Sequence, residues 1–162
     1  MTKDVGTLPY RRGVGIMLRN GTGEVLVGSR IDMKSDAWQM PQGGIDDGEM
    51  PEQALWRELR EEVGTDKARI EAESKDWLGY DLPSNMVPKV WGGRFRGQQQ
   101  KWFLLRFTGT EADLALDTHE AEFSAVRWVR PEDLPGLVIG FKRTLYEQVL
   151  QEFAPHLASP LT

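Results

Sequence analysis

The sequence predicts an α/β (α+β) fold, a mixed β-sheet sandwiched between helices, built as one domain over residues 1–162. Three features predict it. Apolar runs of strand length interleave with two stretches of helical periodicity. A long segment rich in Pro, Gly and Gln interrupts the middle of the chain. No repeat, low-complexity tract or linker divides the sequence, and 162 residues leave little length for a second core.

The elements follow in order. Val14 to Leu18 and Glu24 to Ser29 read as two strands joined by Asn20-Gly21-Thr22-Gly23, whose glycines suit a tight hairpin. A loop follows, then Trp38-Gln39-Met40 and the glycine pair Gly43-Gly44. Pro51 to Val63 is the clearest helix, since Pro51 suits a first turn and Gly64 a C-terminal stop. An extended segment is expected around Asp76 to Leu82, with an irregular stretch after it up to Gln100. Lys101 to Phe107 and Phe123 to Val129 read as strands. Phe141 to Phe153 reads as a terminal helix with Leu145, Val149 and Phe153 on one side.

Composition narrows the chemistry. With 40% apolar and 28% charged residues, the chain has the balance of a globular protein. It has no cysteine, which excludes disulfides, thiolate zinc sites and a cysteine nucleophile. His119 and His156 are too few and too far apart for a histidine-rich metal cluster. A metal would therefore sit on oxygen ligands, which favours magnesium, manganese or calcium. No apolar run approaches the roughly 20 residues that span a bilayer, and Met1 to Leu8 lacks the apolar stretch of a signal peptide. The expectation is a soluble, cytoplasmic protein with no membrane partner.

Net charge is −5, but its distribution is uneven. Lys89, Arg94, Arg96, Lys101 and Arg106 lie between Leu82 and Thr110 with no acidic residue among them, so that segment carries +5 and the rest −10. Such a segment reads either as a phosphate-binding patch or as a solvated basic loop.

The informative stretch runs from Gly43 to Gly64. At about 100° per residue, with Glu58 at zero, Glu62 falls at about +40° and Glu61 at about −60°. Leu55, Leu59, Val63 and Trp56 fall between about +60° and +160°, so an apolar stripe lies beside a carboxylate face. Like charges at i, i+3 and i+4 cost a helix about 0.2–0.5 kcal/mol per pair. A divalent cation reverses that penalty, because hard ions take several carboxylate oxygens. Taken alone, the face also reads as solvated surface, with Arg57 relieving Glu61.

The spacing is Gly43-x5-Glu49-x7-Arg57-Glu58-Leu59-x-Glu61-Glu62-x-Gly64, eight specified positions over 22 residues. It resembles the signature of the Nudix hydrolases, which cleave nucleoside diphosphates linked to another group. The last position of that signature is usually aliphatic, whereas this chain has Thr65. The resemblance implies that Glu58, Glu61 and Glu62 bind metal, that Glu58 is a candidate base, and that Gly43 offers a backbone carbonyl. Arg57 would complete the catalytic set, and Glu49 and Arg57 would orient the loop and helix rather than do chemistry. No GxxxxGK[ST] phosphate loop is present.

The likeness extends to Tyr10-Arg11, Trp38 to Ile45, Lys101 to Leu105 and Phe141-Lys142-Arg143, and covers a core of about 10–153. These segments are similar to the branch of that family that acts on RNA 5' ends, also described as dinucleoside polyphosphate hydrolases. Arg12 departs from it, for proline commonly follows the Tyr-Arg pair there. The branch implies Glu122 as a further metal ligand, Arg30 and Arg11 on substrate phosphate, Lys101 on the polyphosphate, and Phe141 and Lys142 on the first bases. Plain alternatives stand beside these: Glu122 as a surface acid, Arg30 as a strand-end charge, Phe141 as the start of a core stripe, Tyr80 as a core tyrosine. The expected cofactor is Mg2+, with Mn2+ in its place if supplied. The expected substrate is 5'-triphosphorylated RNA, with diadenosine tetraphosphate as alternative, cleaved by a monomer. A non-catalytic nucleotide sensor and a structural calcium-binding domain are the readings from other classes.

Overall fold

Among the described residues, 5–30, 37–114 and 123–158 of the computed structural model, seven strands form one mixed sheet. They are β1 (Tyr10–Arg19), β2 (Val25–Arg30), β3 (Gln42–Gly44), β4 (Ala68–Glu73), β5 (Leu78–Asp81), β6 (Gly97–Phe107) and β7 (Phe123–Val129). Their order is β4-β6-β1-β2-β7, with β3 on β1 and β5 on β6. The central pair, β1 and β6, is parallel from Tyr10 opposite Gly97 to Arg19 opposite Arg106. Three α-helices accompany the sheet among the described residues: α1 (Pro51–Val63), α2 (Leu134–Leu137) and α3 (Arg143–Leu157).

Side chains alternate between two cores, as strand geometry requires. Val14, Ile16 and Leu18 of β1 join Phe103 and Leu105 of β6 beneath Leu55, Leu59 and Val63 of α1. Met17, Trp102 and Leu104 join Tyr146, Val149 and Phe153 of α3 on the opposite face. With both faces covered, the central strands read as nearly continuous apolar runs. Among the described residues, no helix is long and apolar enough to cross a membrane.

Helix α1 has the predicted bounds. Gly64 adopts φ 77°, the left-handed conformation that glycine accepts without cost, and its N–H donates to the Arg60 carbonyl at 3.0 Å. The hairpin registers Arg19 against Val25. Farther along, residues 39–44 run between β1 and β2: the Ile16 N–H donates to the Pro41 carbonyl at 2.9 Å, and Gly28 exchanges hydrogen bonds with Gln39 at 2.7 and 3.0 Å. This wedge carries Gly43 into the middle of the fold.

Several expectations need correction. Strand β6 begins at Gly97, not Lys101, because Gln98 and Gln100 extend it inward as buried, hydrogen-bonded amides. Strand β4 was not expected, for its Arg69, Glu71 and Glu73 alternate with short or half-buried residues at the sheet margin. The terminal helix starts at Arg143 after a single 3-10 turn over Gly140–Lys142 and continues to Leu157. Arg12 causes no break in β1; its guanidinium lies 5.1 Å from the Trp77 ring centroid. Thr65 is buried, and its hydroxyl accepts the Lys67 N–H at 3.0 Å.

Candidate active site

Helix α1 presents three glutamates at i, i+3 and i+4, and two of them are buried. Glu58 is 8% exposed and Glu62 1% exposed, on a helix face that also holds Leu55 and Leu59 against the sheet. Burying carboxylates is costly unless they are paired or hydrogen-bonded, and both meet the wedge. The Gln42 N–H donates to Glu62 Oε2 at 3.1 Å. The Cα of Gly43 abuts the Glu58 carboxylate so closely that a β-carbon there would overlap it. A side chain at residue 43 would have to displace that carboxylate.

Arg57 organises the rest. Its Nε and Nη2 donate to Glu49 at 2.9 and 2.8 Å, and Nη2 also to the Gly44 carbonyl at 2.7 Å. Its Nη1 donates to Glu58 Oε1 at 2.7 Å and to Glu61 Oε2 at 3.2 Å. The Asp46 N–H closes the loop on Glu49 Oε1 at 2.9 Å. One guanidinium therefore ties the loop after β3 to two glutamates of the helix. The hydrogen bond from Arg57 holds the Glu49 carboxyl down at about 2, from an ordinary value of 4.5. Because the folded value is the depressed one, stability from this contact is complete above that ordinary value and is lost as pH falls toward about 2. Thermal melts at pH 3 and pH 6 should show a smaller acid-induced drop in Glu49→Gln than in the unmodified chain.

The donor chemistry fits a hard divalent cation: carboxylates on one helix face, with the backbone of Gly43 against one of them. Among the described residues, no three acidic or histidine side chains converge on one point. Glu58 and Glu61 are instead drawn to Arg57 Nη1. Glu122 lies outside the described residues. Arg30 ends β2 opposite Phe123, across a register shift, and its side chain likewise lies outside them.

On the opposite face of the wedge is a pocket of about 260 Å3 lined by Gln39, Gln42, Tyr80, Trp91, Phe141 and Lys142. Residue 42 belongs to both places, with its N–H on Glu62 and its side chain hydrogen-bonded to Gln100 at 3.1 Å beside the pocket. Lys142 is buried, donates to Gln39 Oε1 at 3.3 Å and lies 5.0 Å from the Tyr80 ring centroid. Tyr80 proves to be both core and pocket wall: its hydroxyl donates to Gln98 Oε1 at 3.1 Å, and its ring packs on Phe141. Arg11 reaches over Trp91, 5.1 Å from the ring centroid, with its guanidinium against Gly44. It therefore stands between the pocket and the loop held by Arg57.

Trp91 was missed in the sequence. It has φ 51°, followed by Gly92 and Gly93 at 67° and 73°. Glycine accepts that conformation without cost, so the strain is confined to Trp91, of the kind found around binding sites, and the Gly-Gly pair was the available signal. The basic segment does not form one patch. Lys101 Nζ donates to the carbonyls of Ser74 and Lys75 at 2.9 and 3.1 Å, clipping the β4–β5 turn. Arg96 donates to the Gly6 carbonyl at 3.1 Å and covers the Tyr10 ring, and Arg94 Nε donates to the Trp91 carbonyl at 3.3 Å.

A carboxylate helix crossing a mixed sheet, clamped through an arginine to a glycine loop, defines a Nudix domain. The NUDIX domain model matches residues 9–153, and the chain belongs to the Nudix family. It is 56% identical over 147 residues to the RNA pyrophosphohydrolase of Rhodospirillum rubrum, covering 91% of this chain and 88% of that protein. It is 51% identical over 159 residues to the RNA pyrophosphohydrolase of Cereibacter sphaeroides, covering 97% of this chain and 98% of that protein. Among solved structures it is similar to the dihydroneopterin triphosphate pyrophosphohydrolase of E. coli, with TM-score 0.62 and 21% identity over 86% of this chain and 96% of that one. The Ap4A hydrolase of C. elegans is similar with TM-score 0.60 and 20% identity, over 92% of this chain and 99% of that one. At those identities the structural likeness concerns the fold.

Proposed function

We propose that the chain converts 5'-triphosphate RNA ends to 5'-monophosphate ends, acting with Mg2+ as a monomeric, single-domain cytoplasmic enzyme. It is a pyrophosphohydrolase, cleaving phosphoanhydride bonds by hydrolysis. The observation that carries the RNA reading is the double engagement of Gln42, which puts an aromatic, base-sized pocket one residue from the buried glutamates.

In this reading Glu58, Glu61 and Glu62, with the Gly43 carbonyl and Glu122, hold the metal. A divalent ion held there would supply positive charge against the polyphosphate and would polarise a water molecule. Glu58 is the candidate base for the attacking water. Arg57 keeps Glu58 and Glu61 aligned with the loop. Arg11 and Arg30 hold the phosphates, Phe141 stacks on a base, and Lys142 meets its edge. Lys101 takes no part, since its ammonium is committed to the β4–β5 turn.

The direct test follows the 5' end of triphosphate RNA incubated with the protein and magnesium. The ends should become monophosphates, and chelation of the metal should stop the conversion. Ends that remain triphosphorylated under these conditions overturn the reading. Removing the Phe141 ring should raise KM for RNA about tenfold and change kcat less, in keeping with about 1–3 kcal/mol for one base-stacking contact. Initial-rate kinetics of Phe141→Ala check this; an unchanged KM removes Phe141 from the base site.

A further inference from the structure

Tyr146 of α3 is fully buried, yet its hydroxyl leaves the apolar core to accept the Met40 N–H at 2.8 Å. We infer that Tyr146 is a positioning residue for Glu58 and Glu62, acting from the opposite face of the sheet through the wedge of residues 39–44. This rests on the reading above, in which those glutamates hold the metal.

Backbone hydrogen bonding argues for it first. Within the wedge, Gln39 exchanges hydrogen bonds with Gly28, and the Pro41 carbonyl accepts the Ile16 N–H. Pro41 has no N–H, so Met40 supplies the only backbone donor between Gln39 and Gln42, and that donor goes to Tyr146. A buried N–H without an acceptor is costly, so the hydroxyl fixes how deep the wedge sits. Two residues on, the Gln42 N–H meets Glu62 Oε2 at 3.1 Å, and beyond it the Cα of Gly43 meets the Glu58 carboxylate. The restricted φ of Pro41 leaves little slack between these anchors.

A second path reaches the same residue. The Tyr146 ring packs edge-on against Trp102, with centroids 6.0 Å apart and planes at 80°. Trp102 Nε1 donates to Gln100 Oε1 at 3.0 Å, and Gln100 Nε2 donates to Gln42 Oε1 at 3.1 Å. Trp102 is itself seated on Gly15, the β1 residue opposite Gln42, where a β-carbon would overlap the indole. The backbone of Gln42 thus traces back to Tyr146 through Met40, and its side chain through Gln100 and Trp102. Removing the hydroxyl cuts the first path and spares the second. Because Tyr146 has no exposed surface with which to touch substrate, its effect falls on the metal site and turnover and spares KM.

The test is Tyr146→Phe, which keeps the ring against Trp102 and removes only the acceptor. Beside it stands Val149→Ala, which loosens the same core of α3 with no hydrogen bond lost. Three quantities are read: the Kd for Mn2+ alone, from the paramagnetic resonance of free ion; kcat and KM on 5'-triphosphate RNA; and the thermal midpoint. Losing a group that supports a metal ligand costs about 10–100-fold in metal affinity or activity. Tyr146→Phe should therefore weaken Mn2+ binding and lower kcat, each about tenfold, with KM unchanged. Val149→Ala should melt earlier and keep its Mn2+ affinity and kcat. Unaltered Mn2+ affinity and kcat in Tyr146→Phe overturn the inference, as does an equal loss in Val149→Ala, which would assign the effect to core packing. If the unmodified chain binds no Mn2+, the metal reading falls and the inference with it. Hydrogen exchange in the unmodified chain needs no variant: the Met40 amide should exchange as slowly as the core strands, and exchange at the rate of an exposed loop overturns the inference.

Discussion

Glu58→Gln lowers kcat by about 10²–10⁴-fold, the range for loss of a general base, and leaves the fold in place. The substitution is isosteric, and an amide oxygen can still accept the Arg57 Nη1 hydrogen bond that the carboxylate accepts at 2.7 Å. What it removes is the negative charge and the proton-accepting capacity of a group that is only 8% exposed. Rates should fall while the thermal midpoint moves by a few degrees at most. Steady-state kinetics beside a thermal melt check both halves. A loss of less than tenfold would show that another group takes the proton.

Gly43→Ala is the second large effect. A β-carbon at residue 43 would overlap the Glu58 carboxylate, the far end of a flexible side chain. The fold can accommodate the methyl by swinging that carboxylate aside, so the damage falls on catalysis more than on stability. A displacement on the order of 1 Å at a reacting group costs about 10²-fold, and that is the expected fall in kcat. Comparing Gly43→Ala with Gly48→Ala separates crowding from backbone strain: Gly48 has φ 78° and open space where a β-carbon would go. Near-normal turnover in Gly43→Ala would remove Gly43 from the site.

Both predictions rest on features that the sequence discloses unequally. Helix α1 was readable to the residue, because Pro51, Gly64 and the apolar stripe are local signals that packing does not override. The burial of Glu58 and Glu62 was not legible on the wheel, where both stand on the carboxylate face; it comes from residues 42 and 43 packing against that face. The hub at Arg57 followed from the motif, and its bond to the Gly44 carbonyl required the wedge to be folded between β1 and β2. Strand β6 was cut short because Gln98 and Gln100 look like loop residues until their amide partners are known. The basic segment misled for the same reason: Lys101 and Arg96 are charges in sequence but have backbone carbonyl partners in the fold. Trp91 sits in a strained turn that no periodicity marks.

The most direct test of the account is a side-by-side assay with magnesium, measuring kcat/KM on 5'-triphosphate RNA and on diadenosine tetraphosphate at equal concentration. A clearly higher value on RNA is predicted, because the proposed function assigns the aromatic pocket beside the glutamates to a base of the RNA chain. A higher value on the dinucleotide would leave the carboxylate helix as the seat of phosphoanhydride cleavage and contradict the assignment to RNA ends.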